Sequence, residues 1–126
     1  MVVDGLLYTK EHEWAKVEGD VATIGITDHA QEQLGELVFV ELPEVGKEYA
    51  ARKEIAVVES SKAAGDVYAP VAGKVTDVNN ELDTQPELIN QDCYNTGWIC
   101  KIQITDKASL DGLMDTKQYK EYLETL

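Results

Sequence analysis

Short β-branched runs separated by Gly and Pro turns recur between residues 20 and 78, and a chain cut this way has no room for long helices. Residues 20–27 (DVATIGIT) set Val21, Thr23 and Gly25 against Ala22, Ile24 and Ile26, the two-residue period of a strand. Residues 36–42 (ELVFVEL) read the same way and stop at a PEVG turn. Residues 54–59 and 66–69 form two more short strands, Pro70 and Gly73 lead into 74–78 (KVTDV), and 98–104 returns to the core. Strands at this spacing predict a mainly β fold of two antiparallel sheets, a sandwich or flattened barrel. Segments 36–45 and 66–75 repeat the order strand, Pro turn, Gly, which hints at a duplication folded as two related sheets.

Helices are confined to the margins. Asp28 offers an N-cap carboxylate with Gln31 three residues on, and Gly35 is placed to end a two-turn helix over 28–35. Residues 79–95 are polar, contain Pro86 and read as a long loop. Near the C-terminus the period changes: Leu110, Leu113 and Met114, then Tyr119, Tyr122, Leu123 and Leu126, recur at helical spacing, with Asp115 and Gln118 as a capping box. A chain of 126 residues without a linker is expected to form one domain, 1–126.

Charge and motifs narrow the function. The net charge of −13 comes with scattered bases, so there is no stripe to neutralise phosphates and nucleic acid is excluded as a partner. The acidity fits a monomer steered toward basic patches on larger partners, and equally a merely solvated surface. No apolar run reaches the ~20 residues that cross a bilayer, so no membrane partner is expected. Cys93 and Cys100 lack C-x-x-C spacing and are expected to be reduced, half-buried core fillers. HEWAK at His12 begins like a zinc-protease box but has Lys16 where the second histidine must stand, so no metal site is expected. With only His12 and His29 in the chain, no nucleophilic constellation and no phosphate-binding glycine loop, a binding or carrier role outranks catalysis.

One residue stands apart. In ESSKAAGD (59–66), Lys62 lies near the tip of a hairpin among serines, alanines and a glycine, which leave its amine uncovered. An enzyme that acylates a lysine needs such access, because only the neutral amine attacks. By spacing alone, an ordinary solvated turn lysine fits as well.

The segment ESSKAAGDVYAPVAGKV resembles the lipoyl-attachment region of glycine cleavage system H proteins. The likeness continues through YTKEHEW, VATIGITDHAQEQLGELVFVELPEVG, PELIN and GWICKI, nearly the whole chain in order. The resemblance implies a barrel-sandwich hybrid with lipoate joined by an amide to Lys62, serving as a non-catalytic carrier. It implies that a lipoate ligase or lipoyltransferase installs the group and that a pyridoxal-phosphate glycine dehydrogenase (decarboxylating) loads an aminomethyl group onto it. An aminomethyltransferase then passes the carbon to tetrahydrofolate, and dihydrolipoamide dehydrogenase reoxidises the arm with FAD and NAD. It also implies Glu13, in HEW, as the carboxylate that holds the cationic amine of the loaded arm, with His29 and Gln33 on the short helix as further candidates for the groove wall. The chain departs from the family pattern at Ser61, where Val is frequent, and near Gly65, where Ser or Thr is. Its rivals are an H-like lipoate-relay protein, a lipoyl or biotinyl domain of another complex, and a hydrolase or transferase acting through His12 or His29. Residues 1–14 show neither a secretory signal nor an Arg- and Ser-rich leader, so a bacterial cytoplasm is the expected location.

Overall fold

Period-two runs and frequent turns give nine strands in the computed structural model, which describes residues 2–126. In chain order the elements are β1 (Leu7–Tyr8), β2 (Glu13–Glu18), β3 (Val21–Ile26), α1 (Asp28–Leu34), β4 (Leu37–Glu41), β5 (Glu48–Tyr49) and β6 (Glu54–Ser60). They continue as β7 (Ala64–Tyr68), β8 (Ala72–Val78), α2 (Leu88–Asp92), β9 (Cys100–Asp106) and α3 (Thr116–Glu124), with 3-10 turns at Asn80–Asp83 and Lys107–Gly112. Two antiparallel sheets result, one of six strands in the order β1-β2-β3-β9-β8-β5 and one of three in the order β4-β6-β7. The mainly β, two-sheet expectation therefore holds.

In β3 the core lies where the alternation predicts it. Ala22, Ile24 and Ile26 of β3 are buried with Ile102 of β9, Val75 of β8, and Val40, Val58 and Val67 of the smaller sheet, so a single apolar cluster joins both sheets. Gly25 faces Trp14 across the β2–β3 pair, and a Cβ there would come within 2.7 Å of the indole. Trp14 fills that space and donates from Nε1 to the carbonyl of Cys93 at 3.0 Å. β4 and β7 do not pair with each other, but each leaves the small sheet through a Pro turn, and the chain enters the large sheet as β5 and β8. These two then align Glu48 with Lys74 and Tyr49 with Gly73.

Several boundaries differ from the sequence reading. Thr27, not Asp28, caps α1: its backbone is extended and its hydroxyl accepts from the Ala30 N–H. Asp28 instead lies inside the first turn and accepts from Gln31 Nε2 at 2.8 Å. Residues 79–95 are no plain loop, because Leu82 anchors a 3-10 turn and Ile89 buries α2 against the core. The last strand begins at Cys100 rather than at 98, and β1, β2 and β5 are additional strands. The capping box of Asp115 and Gln118 is present at α3, whose Tyr119 is buried and stacks on Tyr8 with ring centroids 4.4 Å apart. Cys93 and Cys100 are free thiols, but fully rather than half buried, and burial pushes both up to about 12.

Candidate functional site

The hairpin β6–β7 is in register from Val57 opposite Asp66 to Glu59 opposite Ala64, and residues 60–63 close it. Ser60 holds that turn together. Its N–H donates to the Ala63 carbonyl at 2.8 Å, while its hydroxyl accepts from the N–H groups of Lys62 at 3.3 Å and Ala63 at 3.1 Å. A short hydroxyl that satisfies two turn amides is the usual reason serine occurs in such bends. The backbone of Lys62 is thus fixed, while its side chain and those of Ser61, Ala63 and Ala64 are exposed.

The lysine does not stand free in water. It leans across Gly35, the residue that ends α1, where an added Cβ would lie 3.0 Å from Lys62 Cε and 3.5 Å from Nζ. Gly35 has φ 84° and ψ −164°, a region open essentially to glycine alone. The same residue thus ends the helix and leaves bare backbone under the arm. Beneath the hairpin, Leu34 reaches toward Gly65, where a Cβ would meet it at 3.5 Å, an ordinary contact. The hairpin is braced by the last turn of α1.

Asn90 of α2 fixes the Gly35 loop in turn. Its Nδ2 donates to the Gly35 carbonyl at 2.8 Å and to Gln31 Oε1 at 2.9 Å, and its Oδ1 accepts from the Leu37 N–H at 2.9 Å. A cleft of 370 Å³ opens beside this contact, lined by Gln31, Glu32, Gly35, Glu36, Glu87, Asn90 and Gln91. A larger hollow of 510 Å³, between residues 4–7 and the start of α3, has no lining residue from the lysine hairpin.

The remaining candidates occupy different settings. Glu13 is 1% exposed; its Oε1 accepts from the Thr9 hydroxyl at 2.7 Å and its Oε2 from the Tyr68 N–H at 3.0 Å. It therefore ties β2 of the large sheet to β7 of the small one. Burial raises its carboxyl to about 7, against the opposing pull of those two hydrogen bonds. His29 lies half-buried with its ring centroid 4.3 Å from that of His12, whose Nδ1 is 2.8 Å from the Tyr119 hydroxyl. Gln33 is exposed on the last turn of α1, two residues before the glycine that Lys62 crosses. Among the described residues, no group of three or more His, Cys, Asp or Glu side chains is gathered to hold a metal ion.

This arrangement leaves the Lys62 amine open to an acylating enzyme. The amine is accessible, its backbone is fixed, and glycine rather than a side chain lies under the arm. Sequence reasoning singled out Lys62 but missed the contacts that Ser60, Gly35 and Asn90 make around it. The clustering of Ser60 with Lys62, and the PELIN stretch with Asn90 at its end, were the available signals.

The family model described as glycine cleavage H-protein matches residues 6–126. The chain belongs to the glycine cleavage H-protein family. The glycine cleavage system H protein of Parvibaculum lavamentivorans is 55% identical over 119 residues, covering 94% of this chain and 95% of that relative. That of Thermotoga maritima is 54% identical over 115 residues, covering 91% and 93%. The crystal structure of a glycine cleavage system H protein from Mycobacterium marinum superposes with a TM-score of 0.89 at 34% identity, covering 99% of this chain and all of the other. The H-protein match includes the hairpin, Gly35, Asn90 and Glu13.

Proposed function

We propose that this chain is the lipoyl carrier of glycine cleavage, working as a monomer in the bacterial cytoplasm, with lipoate joined by an amide to Lys62 Nζ. In this reading it carries an aminomethyl group from the decarboxylating glycine dehydrogenase to the aminomethyltransferase and is reoxidised by dihydrolipoamide dehydrogenase. The observation that carries the reading is the exposed Lys62, held on the Ser60-tied turn and lying over the bare backbone of Gly35. When bound, lipoate supplies a dithiolane that can take up a carbon fragment and two electrons.

The chain's own residues present and protect. Ser60 fixes the root of the arm, so that its tip sweeps a bounded volume in front of each docked enzyme. Gly35 and the last turn of α1 give the arm a surface to lie on, with Gln33 and His29 as its wall. Glu13 is the group that answers a cation: with its carboxyl poised at about 7, an amine brought beside it favours the charged form. Such an amine can replace the Thr9 hydroxyl as donor to Oε1 while the Tyr68 N–H keeps Oε2.

The test is reconstitution. Lipoylated protein mixed with the three enzymes, glycine, tetrahydrofolate and NAD should give glycine-dependent NADH, and Lys62→Arg should give none. A chain that accepts lipoate yet supports no NADH formation would be a relay protein and would refute the proposal.

A further inference from the structure

Strand β4 does not obey the alternation of its sequence. In a regular strand Leu37 and Phe39 share one face and Val38 and Val40 the other. Here Leu37 and Val40 are buried, whereas Val38 and Phe39 are both turned outward, 60% and 51% exposed. The cause is a bulge: Leu37 pairs with Ser60 and Phe39 with Glu59, so Val38 is an extra residue that no partner matches. A bulge of this kind re-aims side chains. In this case it moves a phenylalanine from the core side of the sheet into water.

The location gives that exposure a use. β4 is one of the two edge strands of the small sheet and pairs with β6, whose end carries the lysine turn. Phe39 is aligned with Glu59, three residues before Lys62. The patch is rimmed by acids: Glu36 and Glu41 are exposed on either side along the chain, and Glu59 lies opposite. Neither β4 nor β6 contains a basic residue.

We propose that Val38 and Phe39 form the docking patch for the enzyme that acylates Lys62, a ligase whose active-site mouth is flanked by an apolar pocket ringed with Lys or Arg. The inference rests on the reading of Lys62 as the lipoyl site. It commits to the acylating enzyme because that partner meets the protein before any arm exists. The lysine itself must enter the ligase, so recognition has to come from surface within a few residues of the turn. Enzymes that later work on the arm can dock farther away, since the arm bridges the distance. In the ligase, Lys62 Nζ attacks the acyl carbon of an acyl adenylate; the C–N bond forms, the acyl C–O bond to phosphate breaks, AMP departs with the electron pair and the amine releases one proton. An apolar anchor within an acid rim supplies both the pocket contact and the electrostatic complement that such a mouth requires.

The experiment measures transfer of lipoate by an ATP-dependent lipoate–protein ligase, followed by intact mass, with protein concentration varied. Phe39→Ser and Val38→Ser should each lower kcat/KM for the protein substrate about tenfold, through KM, with kcat within about twofold of wild type. Val45→Ser, which removes an equally exposed apolar side chain on the neighbouring turn at 59%, should leave kcat/KM unchanged. Circular dichroism and the melting temperature of Phe39→Ser should match wild type, which separates docking from folding. Ligation of Phe39→Ser at the wild-type rate overturns the patch while leaving Lys62 as the site; failure of wild type itself to be acylated at Lys62 overturns the reading beneath it. A wild-type dimer that Phe39→Ser dissolves also overturns the proposal, by assigning the patch to a second copy of this chain.

Discussion

Replacing Glu13 with glutamine should change how stability responds to pH. The native carboxyl sits at about 7 because burial penalises its charged form, whereas an unfolded glutamate titrates near its ordinary 4.5. At ~1.4 kcal/mol per tenfold difference in proton affinity, the gap corresponds to about 3 kcal/mol. The sign follows from which state holds the proton more tightly. Between these two values the folded chain is protonated at Glu13 and the unfolded chain is not. The contribution is complete below about 4.5 and is lost as pH rises through about 7. Glutamine mimics the protonated form: its Oε1 can accept from the Tyr68 N–H and its Nε2 can donate to the Thr9 hydroxyl. Glu13→Gln should therefore gain about 3 kcal/mol relative to wild type between pH 4.5 and pH 8. Urea unfolding with a slope of about 2 kcal/mol/M reads this as a relative midpoint shift of about 1.5 M. Other acids titrate in both proteins and cancel in the difference. If the two stability curves run parallel across this range, Glu13 is not a buried carboxyl of raised affinity and its assigned setting is wrong.

Two further substitutions probe the supports of Lys62. Gly35→Ala forces a side chain into backbone reserved for glycine, at a cost of about 1–3 kcal/mol and a fall in melting temperature of about 4–12 °C, and it should slow acylation of Lys62 by crowding Cε. Gly46→Ala, at φ 92° with nothing within 4 Å of its Cβ, should destabilise without slowing acylation. Asn90→Ala leaves the buried Leu37 amide and the Gly35 carbonyl without their partner, costing about 2 kcal/mol, and should raise amide hydrogen exchange at Leu37. Wild-type exchange at Leu37 in that variant would show that Asn90 does not hold the loop.

Local chemistry in the sequence was enough for the strands that alternate cleanly, for the glycine that ends α1 and for the cap of α3. DVATIGIT alternates and became β3; Asp115 and Gln118 lie three apart and form the box that caps α3. Thr27 and Asp28 are both good cap residues side by side, so propensity could not choose between them; the extended backbone of Thr27 does. β2 was hidden because Glu13 places a charged residue at a fully buried position, which breaks the apolar pattern that marks a strand. α2 was hidden because a five-residue helix with no side-chain cap depends on distant contacts, here the burial of Ile89 and the bonds of Asn90. The site divides in the same way. An isolated long amine among small residues is visible in ESSKAAGD, but its contact with Gly35, twenty-seven positions earlier, is made only by folding. The outward turn of Phe39 was likewise hidden, since the bulge reverses what ELVFVEL implies.

The central claim is that one exposed amine on a tied turn anchors the cofactor, and peptide mapping by mass spectrometry after ligation tests it most directly. Protein incubated with ligase, ATP and lipoate should gain a single lipoyl amide, found on the peptide containing Lys62 and absent from Lys62→Arg. A lipoyl group on any other lysine, or a wild-type chain left unmodified by an active ligase, would contradict the account.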